Sequence, residues 1–461
     1  MNQPKTVREL RQSGHRAKSV KQELRDNLIA RLGKGEPFLP GIVGYEESVV
    51  PQIENAILSG QDIVFLGERG QAKTRIARLL VGLLDEVVPV VAGCEINDDP
   101  LAPICPACRG RVGDDTEIAW LPRDRRYAEK LATPDITIAD LIGEVDPIKV
   151  AEGRYLADEL TIHYGLLPRT HRGIFALNEL PDLAERIQVS MLNVMEERDI
   201  QIRGYVLRLP LDVLVVASAN PEDYTNRGRI ITPLKDRFGA EVRTHYPREV
   251  EQEVAVIRQE AHLVADVPSY LLEVLARFTR ALRGSQSVDQ RSGVSARFAI
   301  AGAETIAAAA LHRATSYGEE RAVARVVDLE TAVDVLGGKV EFETGEEGRE
   351  AEILTHLLST AVAETVRAHL SGIDLRPLVD AIEEGATVTT GARVTAHELL
   401  GALPPLPPTG PGEADLVDVL ADRLGATDEG SRAAAVELAL EGLYLARKIG
   451  KDCDAGETVY G

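Results

Sequence analysis

Aromatic side chains are scarce in this sequence: 4% of 461 residues, with Trp120 the single tryptophan. Large rings therefore cannot build its cores, which must be packed from Leu, Val, Ile and Ala. Cysteine is scarce as well. Four cysteines in a chain this long exclude a disulfide framework and make a reducing cytoplasm the default location. Basic residues are outnumbered, 52 Lys and Arg against 73 Asp and Glu, for a net charge of −21. That balance argues against a general binder of nucleic acid or anionic membrane, because neutralising phosphates takes clustered Lys and Arg. No apolar run approaches the length of a membrane span, and the first residues lack the apolar segment of a secretory signal. What is present is apolar material, 44% of residues, sufficient for two or three domains with proper cores.

The N-terminal residues 1–37 are basic and helix-patterned, and read as a solvated leading helix or a docking arm. From there to residue 247, short apolar runs alternate with helical stretches. "DIVFL" (62–66), "VVPVVAG" (87–93), "GIFALNEL" (173–180), "VLVVASAN" (213–220) and "AEVRTHYP" (240–247) read as strands. "IADLIGEV" (138–145) is a short helix candidate, and "DLAERIQVSMLNVMEERD" (182–199) an amphipathic helix. "IQIRGYVLRLPLD" (200–212) alternates around Gly204 as a hairpin does. Strands separated by helices predict an α/β fold with a parallel sheet covered on both faces. From 248 to about 345 the pattern is helical throughout, and residues 346–461 read as mostly helical, broken by the Pro/Gly linker "LPPLPPTGPGE" (403–413). No internal repeat is visible.

The segment Gly67-Glu68-Arg69-Gly70-Gln71-Ala72-Lys73-Thr74 follows a strand and opens a helix. That is the setting of a phosphate-binding loop. Its glycines let backbone N–H groups curl around an anion at the positive end of the helix. Lys73 would reach the β and γ phosphates of ATP, and the Thr74 hydroxyl would ligate the accompanying Mg²⁺. The strict pattern has Gly where this chain has Ala72, a methyl tolerated if φ is negative there. "FALNEL" then places Asn178 and Glu179 at the end of another strand, where a parallel sheet gathers its ligands. Glu179 would polarise the attacking water, and Asn178 would bind the Mg²⁺ waters. Asn220, at the tip of "VVASAN", would help hold that water. "PLKDRFG" offers Asp236 and Arg237, and Arg237 suits a trans-acting arginine finger. Arg297, opening the helix after "GVS", could reach back to the γ phosphate.

Three of the cysteines lie in "AGCEINDDPLAPICPACRGR" (92–111). Cys105 and Cys108 have the spacing by which two thiolates hold one Zn²⁺. Cys94 could be a third ligand, and His163, His171 or an Asp would have to supply the fourth. Free thiols, or a regulatory disulfide between Cys105 and Cys108, are the competing readings.

In this order and spacing the motifs resemble AAA+ ATPases, and more narrowly the ATPase subunit of magnesium chelatase and MoxR-like proteins. The resemblance spans about residues 38–340. "GIVGYEESV" is similar to the family segment that contacts adenine, with Val43 and Gly44 at the matching positions. Ala before Lys73 is the family's own variant in the helix-2-insert branch. "ADLIGEVD" and "DIQIRGYVLRL" look like its helix-2 insert and pre-sensor hairpin. "ASANPEDYTNRGRIITPLKDRFG" resembles its sensor-1 to arginine-finger stretch. The resemblance implies an AAA+ core at 38–247 and a helical lid at 248–345. It also implies a ring, expected to be hexameric, with ATP between subunits, and a partner carrying a von Willebrand A-type domain. A chelatase subunit and a MoxR-like remodelling motor would share all these motifs. A transcription activator of related type would carry a "GAFTGA"-like loop and a DNA-binding helix pair; neither is found. Asn178 departs from the family's Asp and removes one charge. At ~4 Å and an effective dielectric of ~20 that charge is worth at most about 4 kcal/mol before solvation offsets most of it. Slower hydrolysis is expected, and an ATP-binding scaffold with little turnover is the alternative.

Overall fold

The structure, a computed structural model, describes residues 3–145, 162–196, 200–202, 205–207, 209–220, 228–289, 293–406, 414–454 and 457–461. The chain divides into two compact units, Met1–His245 and Tyr246–Gly461.

The first unit opens with α1 (Val7–Gln12) and α2 (Val20–Leu32), followed by α3 (Val49–Ser59) and β1 (Ile63–Leu66). The phosphate-type loop leads into α4 (Lys73–Leu79). The remaining strands are β2 (Val87–Val91), β3 (Ile118–Pro122), β4 (Tyr127–Leu131), β5 (Gly143–Val145), β6 (Ile162–Tyr164), β7 (Gly173–Asn178), β8 (Ile200–Ile202), β9 (Tyr205–Leu207), β10 (Val213–Ala219) and β11 (Ala240–Arg243). Five of them form the central sheet in the order β11-β1-β10-β7-β4, all neighbours parallel. The side chains of β1 and β10 are buried throughout, as expected of parallel strands covered on both faces.

Alternation along each strand sorts these side chains into two cores. Ile63, Phe65, Ile174, Ala176, Leu214 and Val216 pack with α2, α3 and α4 on one face. Val64, Leu66, Phe175, Leu177, Val213 and Val215 pack on the other, with the amphipathic helix Glu185–Glu196.

Two expectations change here. "VVPVVAG" contributes β2, but β2 pairs antiparallel with β3 in a separate ladder. The fifth strand of the central sheet is β4, from residues 127–131, where no strand was expected. The helices α1 and α2 within residues 1–37 are also not a solvated leading helix. Val20, Leu24 and Leu28 of α2 are buried in the core. Glu23 of α2 forms a buried two-armed pair with Arg126, both bonds 2.6 Å. Val7 and Leu10 of α1 pack beside Trp120.

"IADLIGEV" divides into a short helix, Ile138–Leu141, and β5, which pairs antiparallel with β6. The hairpin expected after residue 199 is seen as the antiparallel pair β8–β9. Residues 221–227 of the expected sensor-to-finger stretch, and 407–413 of the linker, lie outside the described residues.

The second unit is mostly helical. Its long helices Val250–Glu260, Ser269–Gly284, Ala296–Tyr317, Asp328–Leu336, Glu350–Leu370 and Glu429–Leu445 surround one core. The chain's last quarter also holds a small antiparallel sheet that the helical periodicity concealed. Its strands β12 (Val388–Gly391), β13 (Lys451–Asp454) and β14 (Glu457–Tyr460) run in the order β12-β14-β13. Among the described residues, no helix is long and apolar enough to cross a membrane.

Candidate functional site

The carboxyl ends of β1, β10 and β7 adjoin one another, so the segments following them meet at one edge of the sheet. The loop 67–72 leaves β1, Asn220 follows β10, and Asn178 ends β7 with Glu179 next in the chain. The Gly67 N–H donates to the Ala219 carbonyl (3.1 Å), which ties the start of the loop to β10. A side chain at Gly67 would collide with the Thr244 hydroxyl and the Gln71 carbonyl oxygen. Gln71 is buried. Its side-chain oxygen accepts from the Glu68 N–H (3.1 Å) and the Thr244 hydroxyl (2.7 Å), bracing the loop from within. Arg69 and Gly70 at the loop's crest are exposed.

Lys73 is 7% exposed. Its ammonium donates to the carbonyls of Gly67 and, at 2.7 Å, Glu68. The loop thus curls around the lysine that would meet a phosphate. Ala72 has φ 58°, so the condition of a negative φ fails. The chain accepts a left-handed alanine at this bend. Glu179 is left-handed as well, at φ 55°. Non-glycine residues in this region cost of order 1–3 kcal/mol each and are found where a site requires the geometry.

Asn178 lies at the centre of a polar network. The Thr74 hydroxyl donates to its Oδ1 (3.3 Å), and the Ser218 hydroxyl donates to the same oxygen (3.2 Å). Its Nδ2 donates to Glu129 Oε1 (2.8 Å). A carboxylate accepts and cannot donate, so Glu129 fixes the amide with its nitrogen away from Thr74 and its oxygen toward it. Glu129 on β4 is held by Arg78 through two bonds of 2.7 and 3.0 Å, and by the Tyr127 hydroxyl at 3.0 Å. Burial pushes the Glu129 carboxyl up, but the hydrogen bonds from Arg78 and Tyr127 and the charge of Arg78 outweigh it, leaving it below the usual range. Ser218 also accepts from the Glu179 N–H (3.3 Å). Sequence reading missed Glu129. The one signal was an acidic residue in the short run "YAEKL", which shows no apolar periodicity.

Asn220 is buried, 1% exposed, at the tip of β10. Val43 and Gly44 precede Tyr45, whose hydroxyl donates to the carbonyls of Gln71 (3.0 Å) and His245 (2.6 Å). The segment expected to meet adenine is therefore fastened to the base of the loop. Arg237 is exposed and pairs with Glu196 at 2.6 Å; neighbouring Asp236 is exposed too. Arg297 is exposed in the first turn of Ala296–Tyr317, in the second unit.

Away from this edge, Cys94, Cys105 and Cys108 do come together, and the group's fourth member is Asp98. Neither histidine considered as a ligand joins them. His171 Nδ1 accepts from the Asp212 N–H (3.0 Å), and burial, with the charge of Arg172, pushes its pKa down to about 3. His163 is exposed beside Arg169.

Residues 152–237 match the sigma-54 interaction domain family. That match covers a small part of the chain. The magnesium-chelatase 38 kDa subunit of Acidiphilium rubrum is 29% identical over 245 residues, 51% of this chain and 63% of that protein. A magnesium-chelatase subunit ChlI homolog of Methanocaldococcus jannaschii is 28% identical over 229 residues, 48% of this chain and 58% of that one. The chain thus spans less than two thirds of the length of these relatives. Among solved structures, the complex between BchI and BchD of magnesium chelatase overlaps 69% of this chain and 98% of the matched one, at 22% identity and a TM-score of 0.37. NtrX from Brucella abortus in complex with ATP overlaps 77% of this chain and 71% of that one, at 13% identity and a TM-score of 0.41. Beside the loop before α4 and the parallel strand order, the likeness to the curated relatives makes the chain similar, over about half its length, to the magnesium-chelatase 38 kDa and ChlI subunits.

Proposed function

We propose that the chain binds Mg·ATP at the carboxyl edge of its central sheet and hydrolyses it, as an oligomeric motor acting on a partner protein. The observation that carries this is the line Lys73–Thr74–Asn178–Glu129. It puts a cation, a hydroxyl and a carbonyl oxygen oriented by a carboxylate beside a loop of backbone N–H groups. Such donors match a polyphosphate, and the two oxygens match the magnesium ion that travels with it as substrate.

In this reading Lys73 leaves the carbonyls of Gly67 and Glu68 for the β and γ phosphates. The N–H groups of residues 69–74 hold the remaining oxygens. Glu179 orients the attacking water, with Asn220 on the adjacent strand end as its second contact. Arg237 from a neighbouring copy stabilises charge on the transferring phosphoryl group, and Arg297 reports its loss. Arg237 would have to leave Glu196 to do so. Val43 and Gly44 flank the adenine. The assembly expected is a ring of copies, hexameric by family habit. The partner is a protein with a von Willebrand A-type domain, and the setting is the cytoplasm. The work done is protein remodelling or metal insertion.

One observation favours a second reading, an ATP-binding scaffold with little turnover: the residue at 178 is an amide. Hydrolysis assays on the purified chain separate the two. The motor predicts Mg²⁺-dependent phosphate release that falls roughly 100-fold or more in Glu179→Gln, and is lost with nucleotide binding in Lys73→Ala. Tight ATP binding with release no faster than in Glu179→Gln, with or without a partner, would leave the scaffold reading standing.

A further inference from the structure

The three cysteines and one aspartate of the excursion between β2 and β3 have no part in the nucleotide reading. Their ligand atoms, three Sγ and one carboxylate oxygen, all lie within 4.8 Å of one another. Cys94 Sγ and Cys105 Sγ are 4.0 Å apart. Two thiolates on one tetrahedral Zn²⁺ at Zn–S ~2.3 Å lie about 3.8 Å apart, whereas a disulfide needs about 2 Å. The spacing is that of ligands around an ion.

The surroundings support the same conclusion. The thiols of Cys94 and Cys105 each accept a backbone N–H, from Asp98 (3.4 Å) and Cys108 (3.3 Å). Arg111 Nη2 lies 3.8 Å from Cys108 Sγ. These contacts offset negative charge gathered on sulfur. Asp98 is fully buried. Its two oxygens accept the N–H groups of Ile104 and Cys105, each at 2.9 Å, which aim the carboxylate at the thiols. Among the described residues Asp98 forms no salt bridge. A carboxylate buried without a cation is costly, and a divalent ion among three thiols would supply that cation. Asn97, left-handed at φ 59°, turns the chain so that Cys94 and Asp98 face one point. A small cavity beside the thiols is lined by Cys94, Cys105, Cys108, Ile162 and Tyr164.

We propose that Cys94, Asp98, Cys105 and Cys108 hold a structural Zn²⁺ that fastens residues 94–98 to 105–108. Soft thiolates in a tetrahedral set select zinc. Four protein ligands leave no open position, which makes the site structural and not catalytic. The ion takes the place of a disulfide in a chain built for a reducing compartment.

The test uses the full chain, purified under reducing conditions, with metal measured by mass spectrometry. Zinc at about one ion per chain is expected. Co²⁺ added to the stripped, reduced chain should give the intense visible bands of a tetrahedral thiolate site and a near-ultraviolet sulfur-to-cobalt band. Asp98→Cys should strengthen that ultraviolet band by about a third, as three thiolates become four. Cys105→Ser should weaken it and release zinc. Because Cys105→Ser could unfold the excursion, the cobalt spectrum of the unaltered chain is the deciding measurement. A zinc-free chain whose reduced form gives no tetrahedral cobalt bands overturns the proposal. So does stoichiometric iron, or a cobalt spectrum unchanged in Asp98→Cys.

Discussion

Asn178 carries no charge, and Glu129 holds its amide nitrogen at 2.8 Å. Placing Asp at 178 would therefore do more than add a charge. It would set one carboxylate against another at hydrogen-bond distance, and like charges that close destabilise by up to about 4 kcal/mol at an effective dielectric of ~20. The pair would relieve this by sharing a proton. We expect Asn178→Asp alone to leave hydrolysis unchanged or slower. Glu129→Gln alone should slow it several-fold and raise KM for Mg·ATP, since a glutamine no longer dictates which end of the Asn178 amide faces Thr74. The double variant Glu129→Gln/Asn178→Asp should exceed both singles, with a coupling of about 1–3 kcal/mol in a double-mutant cycle of kcat/KM. A large rate gain from Asn178→Asp with Glu129 intact would refute this coupling.

Among the elements, α2 shows how far sequence pattern reaches. Its apolar spacing announced a helix but not its place. The place is set by Glu23, which meets Arg126 just before β4 through two bonds of 2.6 Å, both side chains buried. Arg126 also donates to the Arg172 carbonyl at 2.8 Å. Glu23→Gln leaves a buried guanidinium without its counter-charge. It should cost about 3–5 kcal/mol, read as a lower urea midpoint of the first unit, and Arg126→Met combined with Glu23→Leu should recover much of it. An unchanged midpoint in Glu23→Gln would mean that the pair is not a staple. The same long-range character explains what else was hidden. β1, β7 and β10 were legible because strands buried on both faces are written as apolar runs. β4 lies at the sheet edge with half-buried, mixed side chains, so only its pairing with β7 defines it. β12 and β14 pair across most of the last quarter of the chain, and no local period reports that. At the site, the loop, Asn178–Glu179 and Asn220 carry local signatures. Glu129 and Asp98 enter only because folding brings them to residues already under suspicion.

At the scale of the whole molecule, the proposed nucleotide site would have to hold a polyanion against the field of a chain of net charge −21. Its donors are concentrated at one sheet edge, where the loop N–H groups and Lys73 would act at short range and the long-range repulsion is screened within about 10 Å at 0.1 M salt. Binding energy should therefore be drawn mainly from the first unit. Trp120 reports on that unit alone: its indole N–H donates to the Pro4 carbonyl at 2.8 Å, and it is the chain's single tryptophan. Mg·ADP at 100 times its Kd adds about 2.7 kcal/mol to the state that binds it. A unit of this size moves roughly 2–4 °C per kcal/mol. The thermal transition followed by Trp120 emission should thus rise by roughly 5–10 °C. Lys73→Ala should abolish that rise. Arg297→Ala, in the second unit, should keep most of it, and whatever it loses measures the contribution of that unit to nucleotide binding. A Trp120 transition that rises equally in Lys73→Ala would place the nucleotide somewhere other than the edge where β1, β10 and β7 end.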